Sequence, residues 1–160
     1  MNARELMTPM PALVTPSDKI FRAAEIMKYE DVGCVPVIGD ILNRRLVGLL
    51  TDRDISVRCT ARRHGTECLV RDHMTPLPLH TVGPEATIDE IVSKMENAHV
   101  RRLPVVDSDG SLIGIVSEAD LITKLPERES LFLHKAIRKA FRPPVTRMRF
   151  SFWETATRNL

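Results

Sequence analysis

The chain has 160 residues, a formal net charge of +2, 43% hydrophobic residues, 28% charged residues and only 4% aromatics. Those proportions describe a soluble globular protein with an aliphatic core, and they exclude a collagen-like, low-complexity or wholly disordered chain. No apolar run reaches the ~18 residues of a membrane span, and Met1–Glu5 has no secretory apolar run. Three cysteines without framework spacing predict reduced thiols and a cytoplasmic setting. Charge is unevenly spread: residues 1–125 hold 15 Lys and Arg against 18 Asp and Glu, and residues 126–160 hold 8 against 3.

In chain order, Met7-Thr8-Pro9 comes first, then a short predicted strand at Leu13-Val14-Thr15. A helix follows, with Ser17 or Asp18 as N-cap and Ile20, Ala23, Ala24 and Met27 on one face. Two apolar runs, Val35–Ile38 and Leu46–Leu50, read as paired strands, and a second short helix starts after Thr51. The whole series then recurs. Met74-Thr75-Pro76 leads to a strand at His80-Thr81-Val82 and a helix capped by Thr87, with Ile88, Ile91, Val92 and Met95 on one face. The runs Leu103–Val106 and Leu112–Val116 flank the turn Asp107-Ser108-Asp109-Gly110, and a helix follows Ser117. The offset between copies stays within 66 to 68 residues, so the chain is a duplicated unit. The near-continuous apolar runs predict strands buried on both faces. A unit this small buries too little surface alone. Two copies are therefore expected to pack with pseudo-twofold symmetry and to leave two related clefts. The expected organisation is an α/β (α+β) fold of two βαββα units at 3–62 and 72–125. A linker at 63–71 joins them, and a C-terminal helix and basic tail follow at 126–160.

Thr51-x-x-Asp54 and Ser117-x-x-Asp120 sit where a strand enters a helix. One reading is a capping box, although Asp is a poorer partner there than Glu. The other is a ligand site. A carboxylate accepts two hydrogen bonds from vicinal ribose hydroxyls, while the hydroxyl and the free N–H groups of a helix start hold sugar or phosphate oxygens. Capping and binding can coexist.

The repeated motifs carry a family resemblance. Met7-Thr8-Pro9, Val35-Pro36-Val37 and Gly48-Leu49-Leu50-Thr51-Asp52-Arg53-Asp54-Ile55 resemble a CBS domain. So do Met74-Thr75-Pro76, Arg102-Leu103-Pro104-Val105-Val106-Asp107 and Gly114-Ile115-Val116-Ser117-Glu118-Ala119-Asp120-Leu121. The pair resembles a CBS-pair (Bateman) module over roughly residues 3–125. With Leu125-Pro126-Glu127 leading into a C-terminal helix, it is similar to the small stand-alone bacterial hypoxia- or stress-response type. The resemblance implies that Asp54 and Asp120 hold ribose and that Thr51 and Ser117 touch sugar or phosphate. It also implies that the strands at Val35-Pro36 and Leu103-Pro104 offer backbone to an adenine edge. A basic residue facing ligand phosphates falls at Arg101 or Arg102, with His99 nearby; the alternative is an arginine pair solvated or salt-bridged at a strand edge. Gly33-Cys34 offers no matching charge, so unequal clefts are expected.

The function implied is a non-enzymatic sensor that needs no cofactor and takes AMP, ADP, ATP or S-adenosylmethionine between the repeats. It would be a homodimer shaped as a flat four-domain disc, signalling in trans to an unidentified effector protein. The competing classes are a ligand-free interaction protein and a nucleic-acid-binding regulator working through 142–160. No nucleophile elbow, P-loop or metalloprotease motif is present, so no catalytic residue is assigned. Cys59, His64 and Cys68 lie close together, but zinc wants four ligands, and one is missing unless Cys34 or His73 folds in. No metal site is therefore expected, and Cys59 stands as a redox-sensor candidate because basic neighbours lower a thiol pKa. Cys34 reads as a small core residue. In the tail, Glu127–Phe141 reads as an amphipathic helix ended by Pro143-Pro144. Basic and aromatic residues interleave beyond it, which suits nucleic acid or an anionic surface, or a plain docking arm.

Overall fold

The computed structural model describes residues 1–126, so the predicted tail helix and its basic end lie outside the described residues. Among the described residues, five α-helices and six strands follow the duplicated order: α1 (Ala3–Leu6), β1 (Thr8–Pro9), α2 (Ile20–Tyr29), β2 (Cys34–Ile38), β3 (Leu46–Thr51), α3 (Asp52–Asp54), β4 (Thr75–Pro76), α4 (Ile88–Ala98), β5 (Arg102–Val106), β6 (Leu112–Ser117) and α5 (Glu118–Lys124). After α3 the first copy continues through a π-helical turn, Ile55–Cys59, and a 3-10 turn, Thr60–Arg62. The strands expected at 13–15 and 80–82 shrink to single parallel bridges, Val14 to Val37 and Val82 to Val105.

The two sheets exchange an edge. β2, β3 and β4 form one antiparallel sheet, and β1, β6 and β5 form the other. Thus Thr8-Pro9 of the first copy pairs with Ile115 and Gly114 of the second, and Thr75-Pro76 pairs with Leu49 and Gly48 of the first. Glycine makes the crossing possible. A Cβ on Gly48 would lie 2.7 Å from Met74 Sδ, and one on Gly114 would lie 2.8 Å from Met7 Cγ. The Met-Thr-Pro motif and the strand glycine are therefore two halves of one contact, made once in each direction.

Each sheet backs onto a helix. Ile91, Val92 and Met95 of α4 pack with Val82, Leu103, Val105 and Val116, and Ala3 and Leu6 of α1 join that core. Each such side chain contributes about 1.5–3 kcal/mol on burial. Ile20, Ala23 and Met27 of α2 bury against Val14, Val35, Val37 and Leu50. Ala24, expected on that face, is exposed, and Ile26 takes its place half-buried. A third cluster of Ile38, Leu46 and Leu112 joins the copies, and Leu46 N–H donates to Gly110 O as Leu112 N–H donates to Arg44 O. Burial is two-sided in β2 throughout, whereas β3 alternates between buried and half-buried residues.

The cap of α4 follows the pattern: Thr87 accepts from Glu90 N–H and Glu90 reaches back to Thr87 N–H. The cap of α2 does not. Its N-cap is Lys19, and neither Ser17 nor Asp18 serves, because Asp18 accepts from Thr15 N–H and Oγ1 instead. The free Ile20 amide is met by the carbonyl of Cys68. Segment 63–71, expected as a linker, is thus partly structural: Leu69 bridges Lys19, and Val70 is fully buried in the first core.

Candidate functional site

Thr51 and Ser117 end β3 and β6, and each becomes the N-cap of the helix that follows. Strand geometry at the cap and helical geometry three residues on bring hydroxyl and carboxylate together. Asp54 Oδ2 accepts from Thr51 N–H at 3.0 Å and from Thr51 Oγ1 at 2.7 Å. Asp120 Oδ2 accepts from Ser117 N–H at 2.9 Å and from Ser117 Oγ at 2.6 Å. Both are full capping boxes, so the capping half of the expectation is what these bonds display. The other carboxylate oxygen points elsewhere: Asp54 Oδ1 lies 3.3 Å from Arg58 Nε, and Asp120 Oδ1 lies 3.1 Å from Lys124 Nζ.

Those two cations were not among the residues expected from the sequence. Each stands four residues after its acid, the helical spacing for an ion pair, which is the signal that could have found them. Each also reaches the other copy's exchanged segment. Arg58 Nη1 donates to the carbonyls of His73 and Met74 and to Thr75 Oγ1. Lys124 Nζ donates to the carbonyls of Leu6 and Met7. An acid, a cation and the entry to a Met-Thr-Pro strand form one chain of contacts, twice.

Two grooves flank these turns. One, of 290 Å³, is lined by Ser117, Asp120 and Ile115 of the second copy, by Thr8–Ala12 and Cys34 of the first, and by Arg102. The other, of 300 Å³, is lined by Leu49, Thr51, Asp52, Arg53 and Cys34 with Val100, Arg101 and Arg102. Small-molecule sites run about 300–1,000 Å³, so each sits at the small end. The grooves differ, because Asp120 lines the first whereas Asp54 does not line the second. Arg102 borders both. Its Nη2 lies 3.2 Å from where a Cβ on Gly33 would be, so a side chain there would press on the guanidinium. Arg101 Nε lies 3.7 Å from Glu118 Oε2 and borders only the groove of Thr51. Val35 and Leu103 are fully buried, and neither they nor Pro36 and Pro104 line either groove. The carbonyls of Pro36 and Pro104 accept from Val14 and Val82 N–H. A broader open hollow of 810 Å³ beside α4, lined by His80, Glu90 and Lys94 among others, contains none of these acids.

Burial pushes the Cys34 thiol above its ordinary range, against the pull of Arg102 and with Asp52 adding to the rise. Cys59 is also raised, by burial and then by the Cys68 thiol. That direction runs against the low-pKa reading of Cys59. Of the basic neighbours of Cys59 at Arg58, Arg62 and Arg63, Arg58 is turned toward Asp54 and the backbone at 73–74. No helix among the described residues is long and apolar enough to cross a membrane.

The CBS-domain sequence profile matches residues 3–58 and 70–127. Hypoxic response protein 1 of Mycobacterium tuberculosis is 35% identical over 135 residues, which is 84% of this chain and 92% of that protein. A crystal structure of hypoxic response protein I with two coordinated zinc ions is 33% identical, with a TM-score of 0.71, over 79% of this chain and 100% of that one. A crystal structure of CBSX2 in complex with AMP is 28% identical, with a TM-score of 0.64, over 88% of this chain and 98% of that one. The exchanged edges, the paired capping turns and the duplicated profile lead to one conclusion: this chain belongs to the CBS-domain family as a tandem CBS pair.

Proposed function

We propose that this CBS pair is a non-enzymatic sensor that takes an adenine nucleotide or adenosyl ligand in the groove between its repeats and signals in trans to a partner protein. The observation that carries the reading is the 290 Å³ groove in which Ser117 and Asp120 of one repeat face Thr8–Ala12 of the other, with Arg102 at its border. The groove holds what a nucleotide needs: an acid for vicinal hydroxyls, a helix start and a guanidinium for phosphate, and apolar wall for a base. A structural neighbour 28% identical carries AMP in its crystal structure. Asp120 and Ser117 are assigned to the ribose and Arg102 to phosphate. The second groove, with Thr51 and Arg101 in its wall, takes ligand more weakly, because Asp54 stands back from that wall. Val35, Pro36, Leu103 and Pro104 act by placing Cys34, Arg102 and the strand backbone beside the base. The working form is a homodimer in a reduced, cytoplasmic setting.

A route from binding to shape runs through the cations. Ribose hydroxyls that engage Asp120 compete with Lys124, and Lys124 holds the carbonyls entering β1. Ligand therefore favours one arrangement of the exchanged strand over another, and the difference in affinity sets the size of the shift. Calorimetry with AMP, ADP, ATP and S-adenosylmethionine on the purified chain tests the proposal. One of them binds and raises the melting temperature. Absence of heat and of any melting shift with all four overturns it and favours a ligand-free interaction protein.

A further inference from the structure

Away from both grooves, the end of the first repeat, the 63–71 segment and the entry to β4 bring together three groups that nothing in the nucleotide reading uses. Cys59 closes the π-helical turn and is 3% exposed. Cys68 is half-buried beside the start of α2, and His73, 3% exposed, precedes Met74. The two sulfurs and a ring nitrogen of His73 all lie within 4.8 Å of one another. Around a tetrahedral zinc, ligand atoms at ~2.3 Å from sulfur and ~2.0 Å from nitrogen stand about 3.5–3.8 Å apart, so closure asks for a shift of about 1 Å or less. His73 supplies a second and independent sign. Its Nε2 is buried and has no hydrogen-bond partner among the described residues, although buried polar atoms ordinarily have one. A buried ring with an unserved nitrogen, packed beside two thiols, has a lone pair or a proton that no protein group meets.

The chain around Cys59 also differs from its counterpart in the second repeat. At the position of Cys59 the second repeat carries Leu125, buried as an ordinary core residue. α5 there is a plain α-helix, whereas the first repeat changes to a π-turn, a form frequent at functional sites. Arg58 fixes the carbonyl of His73 from one side. The exposed His64 ring stands 5.3 Å from that of His73 at the mouth of the cluster, with its own carbonyl 3.8 Å from Cys59 Sγ.

We propose that Cys59, Cys68 and His73 bind one soft divalent transition-metal ion, zinc, with the fourth position taken by His64 or water. Two thiolates and an imidazole are zinc's preferred donors, and the three groups include no carboxylate for oxygen-seeking magnesium or calcium. Binding converts both thiols to metal-bound thiolates and releases their two protons to solvent. The ion ties the end of the π-turn, the 63–71 segment and the entry to β4 into one unit. The site is structural, and it stands whether or not the grooves take nucleotide.

The test uses the full chain, freed of any affinity tag, stripped with a chelator and kept reduced with a phosphine. Cobalt(II) and then zinc are titrated in. The expected result is one cobalt per chain, with a thiolate-to-cobalt charge-transfer band and the intense visible bands of a tetrahedral site. Zinc displaces the cobalt and raises the melting temperature. Cys68→Ser, at a half-buried position that preserves the fold, weakens zinc binding by at least about 100-fold, more than the loss of an outer hydrogen-bonding partner does. His64→Ala weakens it less. A folded, reduced chain that gives no charge-transfer band and no zinc-dependent melting shift overturns the proposal. So does a chain that loses two hydrogens in mild oxidant and takes up no metal, because the cysteines are then a disulfide pair.

Discussion

Asp120 tests whether a capping turn is also a ligand site, and two substitutions separate the roles. In Asp120→Ala the carboxylate is gone. Ser117 N–H and Oγ lose their acceptor, and Lys124 loses the partner 3.1 Å away. Losing a cap costs about 0.5–2 kcal/mol. The ion pair adds at most about 1 kcal/mol, since Lys124 is 38% exposed and solvent-screened. Unfolding stability should therefore fall by about 0.5–3 kcal/mol. In Asp120→Asn one oxygen remains for Ser117, the shape is kept and only the charge goes, so stability falls by about 1 kcal/mol or less. Ligand affinity should respond differently. A hydrogen bond to a charged acceptor exceeds one to a neutral acceptor by about 1 kcal/mol or a little more, and two ribose hydroxyls are engaged, so both variants should bind about 10- to 100-fold more weakly. Urea unfolding and nucleotide calorimetry on the same preparations give the two readouts. If Asp120→Asn stays folded and binds within twofold of the parent chain, Asp120 closes its helix and does no more, and the assignment fails.

Gly114→Ala should destabilise the chain by about 1–3 kcal/mol, because the new Cβ meets Met7 Cγ at 2.8 Å and Thr8 O at 3.0 Å where β1 crosses to the other repeat. Gly48→Ala should behave alike against Met74, and denaturant midpoints unchanged by either substitution would contradict the strand exchange. Thiol alkylation of the metal-free chain should modify half-buried Cys68 first. Cys34 and Cys59 are buried and their pKa values are raised, which leaves less thiolate at neutral pH, so their labelling should lag and then accelerate as pH rises. Mass-mapped labelling in which Cys59 reacts first at pH 7 would contradict this.

Much of the fold is legible because duplication repeats every signal. The paired runs at 35–38 with 46–50 and at 103–106 with 112–116 became hairpins, and Thr87 capped α4. What was not legible depends on partners distant in sequence. A two-residue strand such as Thr8-Pro9 has no period of its own, so nothing local says that it joins the other copy's sheet. Glycine in the middle of apolar runs, at 48 and 114, is the trace it leaves. The same reasoning explains α2, whose cap comes from the Cys68 carbonyl 48 residues beyond its first residue. It also explains His73, whose nearness to Cys59 and Cys68 needs the 63–71 segment to fold back along α2. Composition sees three thiols, and only the tertiary path makes them two plus a histidine.

The twofold arrangement bears on why the repeats keep different cations. Arg58 can donate to three acceptors at once, and it takes the two carbonyls at 73–74 and Thr75 Oγ1 while it pairs with Asp54. Lys124 offers a compact ammonium to Asp120 and to two carbonyls. Arginine's planar fork loses less freedom per bond and is harder to displace than a lysine on a flexible stem. A ligand that competes for the carboxylate therefore meets less resistance at Asp120 than at Asp54. The groove wall agrees, since Asp120 lines its groove and Asp54 does not line the other. The proposed arrangement follows from both facts. The second repeat's acid is the exchangeable one, its lysine couples occupancy to β1, and the first repeat's arginine holds β4 and His73 still. The moving part and the metal-tied part are then opposite ends of the same exchanged pair of strands.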